Sequence, residues 1–242
     1  MNKIIADLPI NTLEEIFSAD ESTFPTEVRE ILQWKGVEAY FNSQGEEDAL
    51  TRVVYGCTDK DGLVRFPAAT DDVFLELFDK IGSQISSYHQ ETIEEHLQMV
   101  FHYAFTFVPD NTNFLLMALL HDCGKKWTAG TNKAGELCFH GHEKLSALVA
   151  NSYLKQMGVC DKDRERIVTR IFYHMRPKAW ERMEKEAKKK SQRRFISKHG
   201  EALFWEIYAF SHWDQGVTEV DDEAQARELF RLGKEEALRL RV

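Results

Sequence analysis

The most constraining stretch of the chain is an apolar run, Phe114-Leu115-Leu116-Met117-Ala118-Leu119-Leu120, that ends abruptly in His121-Asp122-Cys123-Gly124-Lys125. A segment apolar on all sides can only be a buried central helix. The imidazole and carboxylate that follow it are therefore carried into the core, where desolvation disfavours both. A bound cation relieves that cost, because it compensates the carboxylate and is coordinated by both groups. Successive helical residues point about 100° apart, so the pair can reach one ion only near a helix end. Gly124 is expected to make that end by taking the left-handed conformation open to glycine.

The 242 residues suffice for one large domain, or a domain with an appendage, and a hydrophobic fraction of 43% supplies its core. A net charge of −9 argues against a broad basic surface for duplex nucleic acid, though not against a local phosphate pocket. No apolar run has the length of a bilayer span. Asp7 and Pro9 interrupt the N-terminus too early for a secretory signal. Cys57, Cys123, Cys138 and Cys160 are scattered without a Cys-x-x-Cys pair, as reduced thiols of a cytoplasmic protein would be.

Residues 1–88 are expected to form an N-terminal extension that can cap a pocket, and residues 89–242 the main all-α domain. In the extension, Thr12 and Glu15 have the spacing of a capping box, and Thr26 to Trp34 reads as a short helix before Gly36. Asp59-Lys60-Asp61-Gly62 between two β-prone runs suggests a minor hairpin, and Val73 to Ile85 a further helix behind Asp71-Asp72. From Glu91 long helices dominate. Ile93, Leu97, Val100, Phe101, Ala104 and Phe105 define one buried face, with His96 on its edge. Trp127 to Cys138 reads as a loop. His142 falls in the first turn of the helix that continues through Ala150. Asp161 or Asp163 opens another helix, which Pro177 stops. Trp180 to Arg194 carries Lys188-Lys189-Lys190 and Arg193-Arg194 after three glutamates. It fits a solvated face better than a nucleic-acid contact. Phe195 to Phe210 reads as one apolar helix leading to Asp214. The segment from Ala226 to Leu240 is amphipathic and fits either packing on the body or pairing in a dimer.

The polar groups at the ends and edges of these apolar helices are His96, His121, Asp122, His142, His174 and Asp214. A nitrogen and oxygen set of this kind suits Mg, Mn, Fe, Co, Ni or Zn. Its order resembles that of the HD-domain metal-dependent phosphohydrolases, over roughly Glu91 to Gly216. The likeness is carried by Leu120-His121-Asp122-Cys123-Gly124-Lys125, Phe139-His140-Gly141-His142-Glu143, Tyr173-His174-Met175-Arg176-Pro177 and Arg194-Phe195-Ile196 leading to Trp213-Asp214. Among such domains it looks closest to those attached to bacterial CCA-adding tRNA nucleotidyltransferases. Residues 1–88 have no Gly-Ser stretch followed by paired aspartates, so nucleotide addition is not implied.

The resemblance implies His96, His121, Asp122 and Asp214 as ligands of one divalent metal, with Asp122 bridging to any second. His142 and His174 then complete a dinuclear site or face the substrate, with His140 an alternative to His142. Lys125 and Arg176 match positions that neutralise phosphate oxygens, and Glu143 or Asp122 could take a proton from water. The implied reaction is hydrolysis of a phosphomonoester or phosphodiester, with a nucleotide or an RNA end as partner and no membrane. Two other readings stand beside it. A similar ligand order serves diiron oxygenases such as inositol oxygenase, and an HD pocket can also bind a nucleotide without catalysis. Taken singly, each residue has a plainer role: His96 as a satisfied core histidine, Lys125 as a helix-end charge, Arg176 as a solvated turn residue, and Cys123 as small apolar packing.

Overall fold

A computed structural model describes residues 10–32, 91–107, 112–156 and 158–216. The expected hairpin and helix between residues 51 and 85, Gly36, Cys57 and the amphipathic segment from Ala226 lie outside the described residues. The architecture is all-α, and among the described residues one two-stranded ribbon interrupts the helices. Two compact units divide the chain, one ending at Phe172 and the other starting at Tyr173.

The first unit is organised around α3 (Ile93–Phe107) and α4 (Thr112–Leu120), which pack on each other. Thr92 and Glu95 start α3 by exchanging bonds: the Thr92 backbone N–H donates to Glu95 Oε2 (2.7 Å), and the Glu95 N–H donates to Thr92 Oγ1 (3.2 Å). The expected face is buried at Ile93, Leu97, Val100, Phe101 and Ala104, and His96 lies within it at 0% exposure. Every residue from Phe114 to Leu120 is buried, as a helix apolar on all sides requires.

After α4 the chain curls through residues 121–124 into the single turn α5 (Lys125–Thr128). The loop expected from Trp127 to Cys138 contains more order than its composition suggests. β1 (Gly130–Thr131) pairs antiparallel with β2 (Leu137–Cys138). Asn132 Oδ1 closes that ribbon by accepting from the N–H groups of Ala134 (2.9 Å) and Glu136 (3.0 Å), and Gly135 takes the left-handed φ of 81°. Then α6 (His142–Gln156) and α7 (Asp161–Tyr173) complete the unit, with Asp161 and Asp163 in the first turn of α7. Asp163 also accepts from Asn113 Nδ2 at 3.0 Å, which fastens α7 to the start of α4.

Two short helices, α1 (Leu13–Phe17) and α2 (Thr26–Leu32), lie against α6. The capping box of α1 is present: Thr12 Oγ1 accepts from Glu15 N–H, and Glu15 Oε2 accepts from Thr12 N–H. A helix leaves its last carbonyls unsatisfied. Side chains of α6 serve those of α2: Ser152 Oγ (3.0 Å) and Gln156 Nε2 (2.7 Å) donate to Leu32 O, and the Tyr153 hydroxyl donates to Ile31 O at 2.8 Å. Nearer the start of α6, Lys144 Nζ donates to Asn11 Oδ1 at 2.9 Å.

The second unit contains α8 (Arg176–Glu181), α9 (Lys185–His199) and α10 (Glu201–Gly216), all in mutual contact. Its core gathers Trp180, Phe195, Phe204, Ile207 and Tyr208. Trp180 meets Phe195 edge-on at 5.4 Å and donates from Nε1 to Ser191 Oγ at 3.0 Å. Pro177 does more than stop α7, for it stands in the first turn of α8, where a missing N–H costs nothing. The single helix expected from Phe195 to Phe210 is two. Gly200, at φ 86°, breaks it between α9 and α10.

Replacing Tyr153 by Phe leaves the Ile31 carbonyl short of a donor inside the first unit. We expect a loss of about 1 kcal/mol in urea unfolding at unchanged m-value. An unchanged midpoint would show that this clamp contributes nothing.

Candidate metal centre

Within the first unit, two helices and the turn after a third aim one imidazole each at a single carboxylate. Asp122 sits in the turn after α4 at 1% exposure. Its Oδ2 is 3.6 Å from His96 Nε2 and 3.3 Å from His121 Nε2, while its Oδ1 is 3.2 Å from His142 Nε2. The ligand atoms of His96, His121 and Asp122 all lie within 4.8 Å of one another, as do those of Asp122 and His142. Lys125, one turn on, sets its ammonium 2.5 Å from Oδ2 and 5.6 Å from the centre of the Phe139 ring.

The other nitrogen of each ring is also placed. His121 Nδ1 is 2.8 Å from the Ala118 carbonyl, and His142 Nδ1 is 2.7 Å from the Phe139 carbonyl. A carbonyl only accepts, so Nδ1 carries the proton in both rings. His96 Nδ1 lies 3.2 Å from Glu91 Oε1, which imposes the same tautomer when that carboxylate is ionised. In the neutral form each ring then presents an Nε2 lone pair to the carboxylate. Three lone pairs converging on an anion repel one another. Three imidazolium ions and an ammonium around one buried carboxylate would instead leave a large net positive charge in the core. A divalent cation among neutral rings satisfies both groups, and oxygen-anchored Nδ1 atoms are the usual support of metal-binding histidines. The donor set therefore fits a metal.

Asp122 is charged to suit that role. Burial pushes its pKa up, but His121 and Lys125 outweigh it and hold the carboxyl well below the usual range. Its neighbour Cys123 behaves oppositely. Burial pushes that thiol up to about 12, and Sγ packs 3.7 Å from the Ser146 carbonyl, so it is inert filling.

Gly124 does not adopt the expected left-handed conformation. Its φ of −76° and ψ of −14° are right-handed and open to any residue. Glycine is required here by proximity. A Cβ would stand 2.5 Å from Ser146 N and 2.8 Å from the carbonyl of His142. The Gly124 N–H also donates to Ser146 Oγ at 2.8 Å. The missing side chain lets α6 come close enough for His142 to reach Asp122.

Of His140 and His142, the first is exposed and the second is buried against Asp122. Glu143 Oε2 approaches His142 from the Nδ1 side at 3.9 Å, away from the nitrogen that faces the carboxylate. Lys125 is buried on Asp122. In the second unit, His174 lies in the turn between α7 and α8 and Asp214 in the last turn of α10; both are buried. His174 meets the Phe210 ring edge-on at 6.5 Å. Arg176 is exposed at the start of α8. Glu91 and Ser146 escaped the sequence reading. Glu91 stands just outside the helix it serves, and Ser146 acts through a backbone N–H twenty-two positions away. Nothing local to either residue announces its role.

Residues 91–201 match the family model of the HD domain, so this stretch carries the pattern of the HD-domain superfamily, whose members are in general metal-dependent hydrolases. The matched stretch includes His96, His121, Asp122, His142 and His174 and stops before Asp214. No curated protein matches the chain significantly.

Two outcomes are expected of this geometry. Gly124→Ala should force α6 outward, costing about 1–3 kcal/mol or more and weakening metal binding with it. Thermal unfolding with and without Mn(II) checks both. Glu91→Ala should lower affinity for Mn(II) or Zn(II) about 10–100-fold in calorimetric titration. Glu91→Gln, which keeps a side-chain carbonyl acceptor for Nδ1–H, should restore most of it.

Proposed function

We propose that the protein is a metal-dependent phosphohydrolase acting on a phosphomonoester or phosphodiester of a nucleotide or a nucleic-acid end. The observation that carries this reading is the convergence of three Nδ1-anchored imidazoles on the Asp122 carboxylate. Asp214 and His174 are proposed as the further ligands, supported by their burial and by the order of the motifs. Three or four imidazoles to two carboxylates favour Mn, Fe, Co, Ni or Zn over Mg.

A bound metal of this kind supplies Lewis acidity and lowers the pKa of water from about 15.7 towards 7. The chain provides the rest. Asp122 stays ionised across the working pH range, because the neighbouring positive charge depresses its pKa. Lys125, buried on Asp122, is proposed to draw on phosphoryl oxygens with its charge, which low dielectric strengthens. In a mononuclear site, where it is not a ligand, His142 is proposed instead to hold a proton or a phosphoryl oxygen with Nε2, its ring fixed by Phe139 O. Arg176, which is exposed, is proposed to serve the phosphate as a charged donor.

The likeness to HD domains of CCA-adding enzymes rests on the motifs alone and makes 2′,3′-cyclic nucleotides and 2′-nucleotides the first substrates to try. The test is a screen of phosphorylated small molecules and cyclic nucleotides with Mn(II), Co(II), Ni(II) or Zn(II) added, alongside Asp122→Ala. Hydrolysis by the parent chain, reduced at least about 1,000-fold in the variant, is the expected result. Dioxygen consumption with two irons per chain would favour the oxygenase reading. Nucleotide binding without turnover under every metal would favour the binding module.

A further inference from the structure

We infer that the outer face of α9 is a binding surface for the phosphate backbone of nucleic acid. Between Arg176 and Lys198 the chain has ten Lys and Arg against three Glu, a local excess of seven positive charges in a protein whose net charge is −9. Four of these cations share one exposed side of α9. Gln192 and Phe195 turn α9 into its unit, while Lys190, Arg193, Arg194 and Lys198 are exposed. Lys190, Arg194 and Lys198 are each four residues apart, so they form a row with about 6 Å of rise between neighbours and about 12 Å from end to end.

A face that is merely solvated pairs opposite charges at this spacing, which stabilises a helix. Like charges four apart destabilise it by a few tenths of a kcal/mol per pair. Glu186, four residues before Lys190 at the head of the row, pairs with Lys189 at 3.5 Å. Within the row no acid is interleaved, and among the described residues no ion pair engages Lys190, Arg194 or Lys198. A polyanion offsets that repulsion.

The surroundings select which polyanion. A lipid surface needs an exposed apolar face beside the cations, but that side of α9 is buried through Phe195 with Trp180 and Phe204. An acidic protein partner needs aromatic or large aliphatic anchors. The exposed large hydrophobics among the described residues are Phe17 and Met183, and neither belongs to α9. Cations without apolar anchors or stacking rings are the equipment for phosphate contacts that ignore base sequence. This face stands independently of the metal centre and of what that centre hydrolyses.

Fluorescence anisotropy of the full chain with a labelled 20-base-pair duplex, and with a 20-nucleotide single strand of mixed sequence, tests this. Three phosphate contacts give a log–log salt slope near −2.7 on duplex, so affinity should fall about 40-fold between 50 and 200 mM salt. The combined Lys190→Glu, Arg194→Glu, Lys198→Glu variant should lose at least tenfold in affinity at 50 mM salt and most of the slope. Reversal of three other exposed lysines, Lys133, Lys155 and Lys162, should do neither. The same three row positions changed to Gln, and a circular-dichroism melt of each variant, guard against an effect of unfolding. Absence of binding at 50 mM salt, equal binding by the row variant and its parent, or binding only to anionic vesicles would overturn the inference.

Discussion

Everything described in the first unit turns on one buried carboxylate. Asp122 is carried into the core by a helix that is buried on all sides, and an isolated charge there is costly to keep. While no cation is bound, charge on His121 and the Lys125 ammonium keep it ionised instead of letting it take up a proton. The rings are in turn fixed by oxygens on their far sides. Local charge, ring orientation and backbone approach thus form one linked arrangement, and each part makes sense only with the others.

That arrangement explains why the scaffold is built as it is. His96 comes from a helix started by a Thr92–Glu95 exchange, His121 and Asp122 from the turn after α4, and His142 from the first residue of α6. Bringing α6 to Asp122 requires the bare backbone of Gly124 against Ser146. The early helices α1 and α2 hold α6 along its length through donors from Asn151, Ser152, Tyr153 and Gln156. A helix that carries a site residue at its first position has little freedom to shift when its body is fastened so often.

Much of the local structure was legible in the residues. The apolar sequence of α4, the Thr12–Glu15 box and the buried face of α3 follow from periodicity and from hydrogen-bonding groups a few positions apart. The break at Gly200 did not show, because apolar residues continue on both sides of it and only the backbone dihedral reveals the turn. The ribbon after α5 was hidden for a similar reason: Asn132 organises it through its side-chain oxygen, and its composition reads as plain loop. At the site, His96, His121, Asp122 and His142 stood out as polar groups against apolar helices. Their supports, Glu91 and Ser146, did not.

The sequence by itself determined most of the helical segments, the faces they bury, and which imidazoles and carboxylates enter the core, since these follow from spacing along the chain and the cost of burying polar groups. Only the tertiary structure decided that His142 and not His140 meets Asp122, that Lys125 lies on that carboxylate, and that Gly124 serves close packing and not a left-handed turn. Those outcomes depend on distances between residues far apart in the chain. Periodicity fixes the direction of a side chain about its own helix, but not what stands opposite.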